Sequence, residues 1–229
     1  MSRVQELGTA MADEHGFLGI PTKTFDEGGR RQLISLLREG LSPESRVCEI
    51  GCGCLRVAYW LIQLLEPGGY CGIEPHKGRV EWGRTSLFNA DLLEIKKPRF
   101  HHNADFDTSV FGGKFDFFLA GSIWTHCSKA HIQTMLDGFV AHTVPDAVFL
   151  VSYLAARSDD EDYMGSVWVG TSHESNEAGI VRHKLSWIED ECARRGLVAE
   201  EVTGPAFDAQ TWLRVRRRNA APRVERIED

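Results

Sequence analysis

Two acids and two glycines at set spacings carry the chemistry that this sequence shows most clearly. Glu49 stands two residues before Gly51 in Val47-Cys-Glu-Ile-Gly-Cys-Gly53, and Glu74 closes the segment Gly69-Tyr-Cys-Gly-Ile-Glu. Glycine at 51 and 53 lets the backbone turn tightly after a short apolar strand and approach a ligand, and the helix that follows offers its unpaired N–H groups. Glu49 beside that turn suits an ammonium or another cation and would repel a pyrophosphate. An acid about twenty residues beyond such a turn is placed to bond both hydroxyls of a ribose. The pair points to an adenosine-containing ligand with a cationic group and disfavours NAD.

A proton acceptor near neutral pKa is available among nine histidines. His126 follows an apolar strand in Ser122-Ile-Trp-Thr-His126, and His183 precedes a helix expected from Ser186 to Arg195, which would set it at the mouth of the same cleft. Either could deprotonate an alcohol or phenol; the alternative for each is a helix-capping or loop-bonding ring. Trp124, Tyr163, Trp168 and Trp187 could line an apolar acceptor pocket, although Trp187, at helical spacing from Ile188 and Glu191, reads better as partly core. Arg30, after Gly28-Gly29, either reaches the ligand from the N-terminal side or begins a solvated helix face. His173, Glu174 and His183 match no metal-ligand spacing, and Cys52-x-Cys54 lacks a second close pair, so no metal is expected.

Strands and helices alternate around these residues. Strands are expected at Arg46 to Ile50, Tyr70 to Ile73, Arg99 to His102, Phe115 to Ala120 and Ala147 to Leu154. Helices are expected at Phe25 to Glu39, Leu55 to Leu65, His76 to Asn89 and His131 to His142. This is the pattern of an α/β protein with a doubly wound, mostly parallel sheet, whose ligands bind at the carboxyl ends of strands where the order reverses. The alternation stops after Leu154: residues 155–182 read as a substrate-side insertion, and two further strands, Val198 to Thr203 and Gln210 to Arg216, close the fold. Residues 1–20 read as an arm that stays flexible until something binds, within an N-terminal cover spanning 1–40. Residues 217–229 read as a solvated tail.

The 229 residues suit one domain. With 26 basic and 33 acidic side chains, a net charge of −7 argues against a nucleic-acid partner. No apolar run reaches the length of a membrane span and no signal segment is visible at the N-terminus, so a cytoplasmic protein is expected. The six cysteines lie in or beside strands and turns and read as free thiols.

Val47-Cys-Glu-Ile-Gly-Cys-Gly, Tyr70-Cys-Gly-Ile-Glu74, Asn103-Ala-Asp105-Phe106 and the run from Phe115 to His126 together resemble the class I S-adenosylmethionine-dependent methyltransferases over most of the chain. The resemblance implies a Rossmann-like seven-stranded sheet with an antiparallel last strand and S-adenosyl-L-methionine as cofactor. It implies that Glu49 lies near the methionine ammonium, that Gly51 and Gly53 pass under the ligand, and that Glu74 takes the ribose. Asp105 and Phe106 would bracket the adenine, with a turn-forming Asp105 as the alternative, and Gly121 and Ser122 would form the backbone wall beside the methionine. Many members carry a third glycine where this chain has Leu55, so the helix entry is expected to pack differently and Arg56 to take part in holding the carboxylate. The expected activity is methyl transfer to a small molecule, at oxygen; the rivals are a protein, peptide or nitrogen acceptor, and a non-catalytic adenosine-ligand sensor.

Overall fold

The computed structural model describes residues 1–170, 179–202, 210–221 and 223. Seven strands form one sheet in the order β3-β2-β1-β4-β5-β7-β6. They are β1 (Val47–Ile50), β2 (Tyr70–Ile73), β3 (Arg99–His101), β4 (Phe115–Ala120), β5 (Thr143–Tyr153), β6 (Leu197–Glu201) and β7 (Thr211–Arg217). Strands β1 to β5 pair in parallel, and β7 runs antiparallel between β5 and β6. The order reverses between β1 and β4, where Glu49 lies opposite Leu119. Two apolar layers cover the sheet: one holds Phe117, Leu119 and Leu150, the other Phe118, Phe149 and Trp124. This alternation is what a parallel sheet covered on both faces requires.

The helices are α1 (Arg3–His15), α2 (Phe25–Arg38), α3 (Ala58–Leu64), α4 (Lys77–Leu87), α5 (Ala90–Lys96), α6 (Lys129–His142) and α7 (Leu185–Arg194). Helix α3 begins three residues later than the periodicity predicts. Leu55 has φ 64, a left-handed backbone that cannot enter a right-handed helix, so residues 51 to 57 form a longer turn. The helix expected from His76 to Asn89 is shorter, ends in an extended Phe88, and is followed by the separate α5. Strand β5 starts four residues early, at Thr143; Pro145 is accommodated where the β4–β5 register shifts between Phe115 and Phe117.

The N-terminal arm is a helix rather than a flexible strand of chain. Ser2 caps α1 by accepting from the Gln5 N–H at 3.2 Å, and Val4 and Met11 are buried. Its anchor is Asp26, 5% exposed, which accepts from the Ser2 hydroxyl at 2.6 Å and from Arg30 Nε at 3.1 Å while its N–H donates to Gln5 Oε1 at 3.3 Å. Asp26→Ala is expected to cost about 1 to 2 kcal/mol and to speed amide exchange in α1 ahead of the sheet. Uniform exchange across both would remove the clasp.

The segment read as a solvated tail is partly tied down. Arg217 lies in β7 and donates to Val144 O at 2.6 Å and Val140 O at 2.9 Å. Arg223 pairs with Asp116 at 2.5 Å and Asp146 at 3.2 Å.

Candidate active site

The carboxyl ends of β1, β2 and β4 bring Glu49, Gly51, Gly53, Glu74, Gly121 and Ser122 to one edge, at the point where strand order reverses. Gly51 and Gly53 have φ 76 and 50. A Cβ at Gly51 would meet Ile123 Cδ1 at 2.1 Å, whereas one at Gly53 would meet nothing within 4 Å. The turn therefore packs against the loop after β4 on one side and leaves open space on the other. Glu74 is 2% exposed, and its carboxylate is fixed to the turn: Gly53 N–H donates at 3.1 Å and His76 N–H at 3.0 Å, one to each oxygen.

Glu49 is buried beneath the turn, and the Tyr70 hydroxyl donates to its Oε2 at 2.6 Å. Burial pushes its carboxyl up to about 8, against the pull of the Tyr70 hydrogen bond and the Arg56 charge. Gly72 makes this bond possible: it lies opposite Glu49 in the β1–β2 register, and a Cβ there would come within 3.0 Å of the Tyr70 oxygen. The sequence reading missed Tyr70, although Tyr70 and Gly72 share one face of β2 by simple alternation. Arg56 is 7% exposed, and its Nη1 lies 2.5 Å from where a Gly28 Cβ would stand. Helix α2 thus covers the turn through its two glycines.

Arg30 does not reach this edge. It sits on the outer face of α2 and bonds Asp26, while Phe25, Gly28, Gly29, Gln32 and Leu36 face inward. Ser122, with φ 61, is held by side chains that the sequence did not single out. Its N–H donates to Ser152 Oγ at 2.7 Å, its hydroxyl accepts from Gln210 Nε2 at 2.7 Å, and Ser152 Oγ donates to Gln210 Oε1 at 2.6 Å.

Asp105 is exposed and accepts from the Asp107 N–H at 3.4 Å, a turn contact. Phe106 is buried with φ 61, its ring centroid 5.5 Å from His131 and 6.4 Å from Trp168. Trp168 also stacks on His126, at 5.4 Å and 29°. One indole from the insertion therefore joins the Phe106 side of the edge to the His126 side. His126 Nδ1 lies 2.8 Å from Val169 O. A carbonyl only accepts, so Nδ1 carries the hydrogen of this bond.

His183 is not at a cleft mouth: it is 0% exposed, its Nε2 donates to Cys127 O at 3.1 Å, and burial pushes its pKa down. Its main chain pairs with Leu154 and Ala156, which makes it part of the interior seam between β5 and α7. Trp124 is likewise core, edge-on to Phe149 at 5.9 Å, and Trp187 lies under Lys129 at 4.8 Å, so neither lines a pocket with Trp168. His173 and Glu174 lie outside the described residues, and among the described residues no group of three His, Cys, Asp or Glu side chains could hold a metal ion.

The stems of the insertion border an open cleft of about 440 Å³ lined by residues 160–164 and 180–182. Two of its acids are paired, Asp162 with Lys129 at 2.6 Å and Glu161 with Arg182 at 4.0 Å, while Lys184 pairs with Asp159 beside it. No helix among the described residues is long and apolar enough to cross a membrane.

This strand order, with its antiparallel β7 and a glycine turn at the switch point, is the fold of the class I S-adenosylmethionine-dependent methyltransferases. Solved structures with this fold include magnesium protoporphyrin IX methyltransferase from Synechocystis PCC 6803 with bound SAH, at TM-score 0.57 and 16% identity over 93% of this chain and 95% of that one. The glycopeptide N-methyltransferase MtfA superposes at TM-score 0.59 with 13% identity over 83% of this chain and 90% of that one. An O-methyltransferase family protein from Burkholderia thailandensis gives 0.55 with 14% identity over 87% and 61%. The sequence matches no protein-family model and no curated protein.

Proposed function

We propose that the chain is a methyltransferase that uses S-adenosyl-L-methionine and methylates a small molecule at a hydroxyl oxygen. The observation that carries the reading is the state of Glu74. A carboxylate has roughly four lone-pair sites, and the two backbone bonds from Gly53 and His76 use one on each oxygen. What remains is one acceptor site per oxygen, above a turn with open space at Gly53, which suits the two hydroxyls of a ribose. Glu49 beneath the turn suits the ammonium, and Arg56 the carboxylate of the same amino-acid end. Asp105 and Phe106 flank the place of the adenine, and Ser122, pinned by Ser152 and Gln210, forms the wall beside the methionine.

When bound, S-adenosylmethionine supplies an electrophilic methyl group on a sulfonium sulfur. The chain's own part is to align the acceptor and take its proton. His126 does the second at Nε2, its other nitrogen fixed by Val169 O and its ring backed by Trp168. His183, sealed in the interior, orders the seam and takes no part in proton transfer. The N-terminal helices and the insertion exclude water from this edge.

Calorimetric titration with S-adenosylmethionine, S-adenosylhomocysteine and NAD tests the reading. Micromolar binding of the first two and none of NAD is expected; binding of NAD alone, or of nothing, overturns it. In the same assay Glu74→Ala is expected to weaken S-adenosylmethionine by about 2 kcal/mol through lost charge-assisted hydrogen bonds. Unchanged affinity takes Glu74 out of the ribose role.

A further inference from the structure

We infer that Gln32 is a cofactor-positioning residue whose amide binds the α-carboxylate of the cofactor's amino-acid end. The inference rests on the methyltransferase reading above and adds to it a residue outside every sequence motif. Gln32 is 4% exposed as a residue; its amide makes no hydrogen bond with a described residue and, unlike the Trp60 and Trp124 indole nitrogens, is not sealed from solvent. An amide that keeps an opening to solvent on an otherwise buried side chain, beside a ligand edge, is a candidate ligand contact. Its Nε2 lies 2.5 Å from where a Cβ on Gly121 would stand, directly over the backbone that ends β4. The absence of a side chain at 121 is what admits it.

Its position on α2 identifies the group it meets. Gly28 and Gln32 are four residues apart and share the inward face of the helix. The first opens onto Arg56 Nη1 and the second carries an amide, so the helix sets a guanidinium and a primary amide about one turn apart. Glu49 lies beneath the adjoining turn. One carboxylate, one guanidinium and one amide donor are the complement of an α-amino-acid zwitterion: the acid faces the ammonium, and the guanidinium and the amide N–H face the carboxylate. The neighbouring polar side chains are already committed, since Ser122, Ser152 and Gln210 bond one another. Trp212, 3.4 Å from the same Cβ position, closes the other side of Gly121.

A ligand pair that differs only at this end tests the assignment. Calorimetry compares S-adenosylhomocysteine, which has the amino-acid end, with 5′-methylthioadenosine, which lacks it. Gln32→Leu is expected to weaken S-adenosylhomocysteine about tenfold and leave methylthioadenosine within about twofold. Equal losses for both ligands, or no loss for either, overturn the assignment while leaving the cofactor reading intact. Failure of the wild-type protein to bind S-adenosylhomocysteine removes the cofactor reading, and the assignment with it. If Gln32→Leu melts early, Gln32→Glu keeps the shape and sets a negative charge against the carboxylate; it is expected to discriminate even more strongly against S-adenosylhomocysteine, and equal effects on the two ligands again overturn the inference.

Discussion

Gly83→Ala is expected to lower stability by about 2 to 3 kcal/mol and to weaken the cofactor along with the fold, as read by denaturant unfolding and calorimetry. Gly83 sits inside α4, where alanine is the better helix former by about 1 kcal/mol. Packing reverses that preference. A Cβ at 83 would lie 2.7 Å from Cys54 O, 2.8 Å from Cys54 C and 2.7 Å from Leu55 Cγ. Two of those atoms are backbone of the turn after Gly53, and the next residue, Leu55, is already held at φ 64 with its side chain 0% exposed. The turn cannot yield without moving Gly53 off the Glu74 carboxylate, so the helix must move instead. Gly138→Ala in α6 is the control: its Cβ would meet only Thr108 Oγ1, at 3.4 Å. There alanine is expected to be neutral or stabilising by up to about 1 kcal/mol. If both substitutions behave alike, close packing of α4 on the turn is not what fixes the site.

The parts of this fold that could be read from sequence are those in which local pattern and burial agree. Strands β2 and β4 occupy the predicted residues because each is an apolar run bounded by glycine or charge, and β1 starts one residue late. Leu55 shows where the pattern fails: its apolar character fits a helix start, but it occupies a position that needs the left-handed backbone a glycine provides. The departure from the third glycine that many class I methyltransferases carry was visible in the sequence, and its consequence, a delayed α3, was not. Helix α1 was missed because its stability is non-local, coming from Asp26, 24 residues from Ser2. A local clue existed in Ser2-x-x-Gln5, which matches a helix-capping pattern. On α2, periodicity counted from Phe25 puts Gln32 inward and Arg30 outward, whereas residue type alone favoured the arginine. His183 marks the limit of residue-type reasoning: nothing local tells a buried imidazole from a catalytic one, and only the pairing of 155 with 183 seals it inside.

Glu49 makes the stability of the ligand-free protein fall as pH rises through neutrality. Its folded pKa of about 8 lies above the ordinary carboxyl value of 4.5, so between those values the folded chain holds a proton that the unfolded chain has released. Stability then decreases with pH, by about 1.4 kcal/mol per unit within that window and by about 5 kcal/mol at most across it. The contribution is fully present below pH 4.5 and is lost as pH passes 8. An ammonium placed against Glu49 removes the loss by pairing the carboxylate. The melting-temperature gain given by saturating S-adenosylhomocysteine is therefore expected to grow from pH 5.5 to pH 8. Glu49→Gln, neutral at every pH, isolates the effect: the ligand-free variant is expected to lose most of the downward slope and to bind the cofactor weakly. The comparison is needed because His183 works in the opposite sense. Burial depresses its pKa, so stability rises with pH as the unfolded chain's histidine loses its proton. The difference between wild type and Glu49→Gln cancels that rise. Parallel melting curves for the two proteins across this range would show that Glu49 is ionised in the folded chain, and that the Tyr70 hydroxyl and Arg56 outweigh its burial.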